Sequence, residues 1–162
     1  KYPERTRSLI ISSAVSQIDP MLQVMGASWM SALHNNDADT LFEVTFPANF
    51  SEPWIAANQA IIEPSRRKYH QMDLKAAEQL MLAFSKIDFT AELHRLTVPT
   101  LVLVGELDIL KSRKYSEIIS REIAGSEFIL IPHAGHAVCL EKPAEFNSAV
   151  LGFVLKHSEV VA

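Results

Sequence analysis

Apolar residues are distributed along this chain in two textures. Short unbroken apolar runs, bounded by polar turn residues, lie near the start and in the last third. Between them, apolar residues recur at helical spacing. The run Ser8-Leu9-Ile10-Ile11-Ser12-Ser13-Ala14-Val15 reads as a short buried strand. From about residue 17 to 95 the period is helical, the segment is rich in Met, Ala and aromatics, and Pro20, Pro47, Pro53 and Pro64 interrupt it. The spacing predicts a helix over 74–86, with Asp73 as its N-cap and Leu74, Ala77, Met81 and Phe84 on one face. A second helix is expected around 20–34, with shorter ones around 37–46 and 53–62 between the prolines.

The last third is more regular. Leu101-Val102-Leu103-Val104 is a continuous apolar strand of the kind buried on both faces in parallel sheets, and Gly105-Glu106-Leu107-Asp108 turns the chain after it. A helix around 112–124 presents Tyr115, Ile118, Ile119 and Ile123, with Gly125 as its stop. The strand Glu127-Phe128-Ile129-Leu130-Ile131 ends at Pro132, and a loop leads to a last helix with Pro143 at its first position and Phe146, Val150, Phe153 and Val154 on its buried face. The order is strand, helical insert, strand, helix, strand, helix. It predicts an α/β fold of about three parallel strands with flanking helices, in three parts: a core strand over 1–16, a helical insert over 17–95, and a C-terminal core of two strands and two helices over 96–162.

Composition narrows the function. Of 162 residues 48% are hydrophobic and 21% charged, as in folded globular proteins. Fifteen Lys plus Arg against nineteen Asp plus Glu leave a net charge of −4 and no basic cluster, which argues against a nucleic-acid partner. No apolar run approaches the ~18 residues of a membrane span, so no membrane partner is expected. The single cysteine, Cys139, excludes an internal disulfide and any multi-cysteine zinc site. It is expected to be a small buried apolar group in a reducing, cytoplasmic setting. His34, His70, His94 and His157 show no metal-ligand spacing, and no cofactor is implied.

Two residues at the carboxyl ends of the later strands have complementary chemistry. Asp108 follows the strand 101–104, and His136 follows the strand 127–131. In parallel sheets, sites form beyond the carboxyl ends of the strands, and neighbouring strands lie about 4.8 Å apart. Loops from adjacent strands can therefore bring a carboxylate to an imidazole, fixing its tautomer and stabilising the imidazolium formed on proton transfer. Gly135 gives the backbone freedom to present His136. His133 is expected to be a partly exposed loop residue, and Glu106 to support its turn. Glu141 and Glu145 are expected to act on the last helix mainly through its dipole and at the surface.

These segments resemble the α/β-hydrolase superfamily. Val98-Pro99-Thr100-Leu101-Val102-Leu103-Val104-Gly105-Glu106-Leu107-Asp108 resembles its acid-bearing strand and turn. Ile131-Pro132-His133-Ala134-Gly135-His136, followed by Leu140-Glu141-Lys142-Pro143-Ala144-Glu145-Phe146, resembles its histidine loop and final helix. Lys1 to Ile11 resembles the stretch leading into the sixth strand, and 17–95 stands where a cap or lid is inserted. The resemblance implies a partial α/β-hydrolase fold. It also implies a hydrolase acting on a small ester, lactone, thioester or C–C bond substrate through serine, His136 and Asp108. Trp29, Phe50, Trp54 and Val138 are the expected substrate-binding side chains. Asp19, after the first strand, is the runner-up acid.

The chain departs from the family at the nucleophile. Its glycines are Gly26, Gly105, Gly125, Gly135 and Gly152; no two are four apart, so there is no Gly-x-Ser-x-Gly elbow. Ser12, Ser13 and Ser16 are nearby hydroxyls without that elbow. A chain that opens directly on a strand, with no crossover helix before it, is expected to start within a fold whose nucleophile lies upstream. That nucleophile would be Ser, or Asp as in dehalogenases and epoxide hydrolases. Such a half fold is expected to associate, either with its missing N-terminal half or as a homo-oligomer. A truncated homologue serving as a non-catalytic binding or interaction module is the alternative. A small ligand-binding α/β domain would leave the acid and histidine spacing to coincidence.

Overall fold

The computed structural model describes residues 3–158, so Lys1 and Tyr2 of the stretch named above lie outside the described residues. Strands β1 (Leu9–Ser12), β2 (Thr100–Gly105) and β3 (Glu127–Ile131) form a parallel sheet in the order β1-β2-β3. Leu9 lies opposite Thr100, and Leu101 opposite Glu127. Every residue of β2 is buried, because helices cover both faces of this central strand. Alternation divides the core in two. Leu101 and Leu103 pack with Ile131, Val138 and Phe153 beneath the last helix, α8 (Pro143–His157), while Val102 packs with Leu93, Ile119 and Ile123 beneath α6 (Arg113–Glu122).

Between β1 and β2 the chain is helical: α1 (Pro20–His34), α2 (Ala38–Asn49), α3 (Glu52–Ala57), α4 (Ile62–Tyr69) and α5 (Leu74–Phe84). Asp19, Asp37 and Asp73 cap α1, α2 and α5 by accepting the N–H of Leu22, Thr40 and Ala76. Ala32, Leu33, Ala38, Leu41 and Leu74 form a separate core among these helices. The insert leaves and re-enters side by side. Phe89 N–H donates to Ser16 O at 2.9 Å, Ile18 N–H to Ile87 O at 3.3 Å, and the Ser16 and Thr90 hydroxyls bond at 2.7 Å.

Several expectations differ from the structure. The first strand is not buried over 8–15: β1 is half-buried and stops at Ser12, after which Ser13 takes a positive φ. Val154, expected on the buried face of α8, is exposed. Two helix boundaries also differ. α2 does not stop before Pro47 but carries it as an internal residue and runs to Asn49. Pro47 costs the helix one bond, the one its missing N–H would have made to Glu43 O, and the turns on either side continue. The helix expected over 53–62 is instead α3, a short 3₁₀ turn over Gln59–Ile61, and the start of α4. Cys139, expected to be buried, is exposed, because the single turn α7 (Val138–Glu141) sets Val138 and Glu141 inward and leaves Cys139 and Leu140 to solvent. Among the described residues no helix is long and apolar enough to cross a membrane.

Candidate active site

The loops after β2 and β3 are stitched together before any side chain acts. Glu106 N–H donates to Ile131 O at 2.9 Å, and Leu107 N–H to Ala134 O at 2.8 Å. A Cβ on Gly105 would stand 2.2 Å from Gly135 O and 2.3 Å from Ala134 O, so only glycine permits this approach. Asp108 thereby arrives beneath the histidine loop with its side chain fully buried. Its Oδ1 accepts the backbone N–H groups of Leu110 at 3.0 Å and Lys111 at 2.7 Å. Its Oδ2 is 2.9 Å from His136 Nδ1.

A buried carboxylate accepting two backbone donors is held as an acceptor, so Nδ1 of His136 carries the proton and donates. Nε2 is left as the basic nitrogen of a ring that is 23% exposed. The arrangement can take a proton from a hydroxyl and return it to a leaving group, with Asp108 stabilising the imidazolium between the two events.

The histidine loop is also fastened to the insert. Ala137 N–H donates to Asn49 O at 2.8 Å, and Glu141 accepts both Ser51 N–H at 2.8 Å and the Ser51 hydroxyl at 2.5 Å. Glu141, expected at the surface, is therefore buried, because Ser51 supplies donors that satisfy it. Glu145 is exposed. Glu106 supports its turn by accepting His133 N–H at 3.0 Å, and the His133 ring is exposed.

A cleft of about 930 Å³ opens between the insert and the acid loop, lined by Pro47, Phe50, Ile55, Ile62, Leu107, Asp108 and Ile109 among others. Phe50 lies in its wall, and Trp54 stacks on Phe50 with centroids 4.4 Å apart. Trp29 lines a different cavity, between α1 and α5, and Val138 is 1% exposed inside the sheet core beneath α8. Asp19 sits apart from His136. It accepts Leu22 N–H, the Tyr115 hydroxyl at 2.9 Å and Lys114 Nζ at 2.7 Å, and the Lys114 bond leads the causes that hold its carboxyl down at about 2.

None of Ser12, Ser13 and Ser16 bonds to His136. Ser13 nevertheless has a positive φ of 46° and a buried hydroxyl with no hydrogen-bond partner, a strain no local residue pattern announces. Among the described residues no cluster of three His, Cys, Asp or Glu side chains could hold a metal.

Known proteins resemble this chain in sequence and in fold. No family model matches the chain. The (R)-3-hydroxydecanoyl-ACP:CoA transacylase of Pseudomonas aeruginosa is 26% identical over 159 residues, which is 94% of this chain and 52% of that protein. MGS-M2, an α/β hydrolase enzyme from a Medee basin deep-sea metagenome library, superposes with a TM-score of 0.86 at 21% identity over 100% of this chain and 60% of its own. A thermophilic esterase from Thermogutta terrifontis superposes with a TM-score of 0.84 at 25% identity, over 98% of this chain and 59% of its own. The chain spans 24% and 61% of the length of two further curated relatives it matches.

Proposed function

Because the chain belongs to the α/β-hydrolase superfamily and covers the C-terminal part of that fold, we propose that it contributes the acid, the histidine and the cap of a hydrolase acting through a nucleophile, His136 and Asp108. The observation that carries this reading is the 2.9 Å contact between His136 Nδ1 and a fully buried Asp108 carboxylate. The carboxylate is also fixed in place, its second oxygen accepting the N–H groups of Leu110 and Lys111 in an Asx turn, so the pair is preorganised.

The attacking group comes from outside these 162 residues, since no Gly-x-Ser-x-Gly elbow is present within them. Nε2 of His136 takes the nucleophile's proton as its oxygen bonds to the substrate carbonyl, then delivers it to the leaving group. The substrate is a small ester, lactone, thioester or vinylogous C–C compound. The mostly apolar walls of the 930 Å³ cleft, with Phe50 in the wall and Trp54 stacked behind it, favour a modest hydrophobic ligand. Likeness to an esterase supports the ester class.

The chain is also proposed to associate with a missing N-terminal half or with a second copy, because β1 lies at an edge of the three-stranded sheet with one side of its backbone unpaired within that sheet. The test is hydrolysis of a chromogenic acetate ester by the intact protein, with a serine-directed fluorophosphonate as covalent probe. Replacing His136 with Ala is expected to lower kcat/KM by roughly 10³-fold or more. Undiminished turnover in that variant overturns the proposal.

A further inference from the structure

Lys111 is the buried ionisable group that the proton relay leaves unused. Its backbone N–H holds Asp108, but its side chain runs the other way and lines a cavity of about 160 Å³ between α1, α5 and the acid loop. That cavity shares no lining residue with the cleft at Asp108. Lys111 is 9% exposed, and its Nζ sits 4.7 Å from the centroid of the Phe84 ring. Among the described residues that ring is its only partner, and Nζ makes no hydrogen bond or ion pair.

Two carboxylates face Lys111 electrostatically, and both are engaged elsewhere. Asp108 is held by His136 and two backbone donors, and Asp19 by Lys114, Tyr115 and Leu22. Burial pushes the Lys111 ammonium down from the ordinary lysine range against the pull of both acids. A desolvated ammonium at the edge of an apolar cavity is costly unless an anion meets it.

We propose that this cavity binds a short aliphatic carboxylate, its headgroup on the Lys111 ammonium and its tail among Leu22, Met25, Trp29 and Met81. The volume of about 160 Å³ suits a tail of about six carbons, since a cavity of similar size accepts benzene. Hexanoate combines that volume with a single charge. An alcohol of equal length fills the same space without answering the ammonium.

The inference goes beyond the hydrolase reading and is tested by binding rather than turnover. Isothermal titration of the intact protein with hexanoate and with 1-hexanol compares the two ligands. Hexanoate is expected to bind saturably at one site, and Lys111→Met is expected to weaken it more than tenfold while leaving 1-hexanol within twofold. Gly26→Leu tests the same cavity with Lys111 intact, because a Cβ at Gly26 meets only Met81 Cε, at 3.9 Å, and the added side chain enters the space. It is expected to abolish binding of both ligands. Hexanoate binding that survives either substitution at wild-type affinity, or no saturable hexanoate binding by the wild type, overturns the proposal.

Discussion

Glu141, five residues after His136, accepts both the backbone N–H and the hydroxyl of Ser51, the residue that opens α3 in the helical insert. A carboxylate buried at 8% exposure thus ties the histidine loop to the wall of the cleft. Removing it strands a buried donor. Glu141→Ala is expected to cost about 2–4 kcal/mol, and Ser51→Ala about 1–2 kcal/mol because its backbone donor remains. Urea unfolding measures both. In a double-mutant cycle the two effects should be strongly non-additive, and additive costs would show that the contact carries no energy.

Glycines 105 and 135 are the second point of vulnerability. A Cβ on Gly135 would stand 2.6 Å from both Ser51 N and Glu141 Oε1, and one on Gly105 would meet backbone oxygens at 2.2 and 2.3 Å. Gly105→Ala must push two backbone loops apart and is expected to lose about 3–5 kcal/mol. Gly135→Ala meets backbone as well, Ser51 N at 2.6 Å and Phe50 C at 2.8 Å beside the held carboxylate of Glu141, so it must part the histidine loop from the insert. It is also expected to lose about 3–5 kcal/mol and to displace His136. Thermal melts and turnover of both variants measure these effects.

Asp108→Asn keeps the shape of the acid and removes its charge. An amide can offer Nδ1 of His136 a donor where an acceptor is needed, which favours the wrong tautomer. A loss of about 10⁴-fold in kcat with little change in KM is expected. Ester hydrolysis followed across pH is the readout, and a variant that retains wild-type kcat would remove Asp108 from the relay.

Asp19 sets an acid-side signature. Lys114, the Leu22 N–H and the Tyr115 hydroxyl outweigh burial and lower its carboxyl from 3.8 to about 2. The folded value lies below the unfolded one. The stabilisation is therefore complete above pH 3.8 and is lost as pH falls through about 2. Asp19→Asn should abolish this component, flattening the acid limb of the stability curve by about 1–2 kcal/mol. On the alkaline side, burial, with Asp19 adding to it, raises the Tyr115 phenol from 10.0 to about 12. That contribution holds below pH 10 and fades as pH climbs through 12, which phenolate absorbance follows.

The sheet and its two flanking helices are legible because their patterns are local and unambiguous. Glu127–Ile131 is a five-residue strand with four consecutive apolar residues closed by a proline, and α8 begins at Pro143 where a proline belongs. The acid and the histidine are legible because strand ends converge whatever the loops do. The insert is harder to read. Pro47 interrupts the helical pattern, yet α2 carries it as an internal residue and runs on to Asn49. Trp29 and Phe50 look alike in sequence, but only Phe50 reaches the cleft, because helix packing rather than residue type decides which aromatic faces a ligand. The burial of Glu141 and the strain at Ser13 depend on contacts with distant residues and leave no trace in local spacing.

The paired backbone bonds at 16–18 and 87–89 bring the two ends of the helical insert to a single doorway. Segments hung beyond that doorway can lengthen or be exchanged only if they leave Asn49 and Ser51 in place, because those two residues pin the insert a second time, to the loop that carries His136. The outer helices are therefore open to change, while the stretch around Asn49 and Ser51 has to change in step with the imidazole.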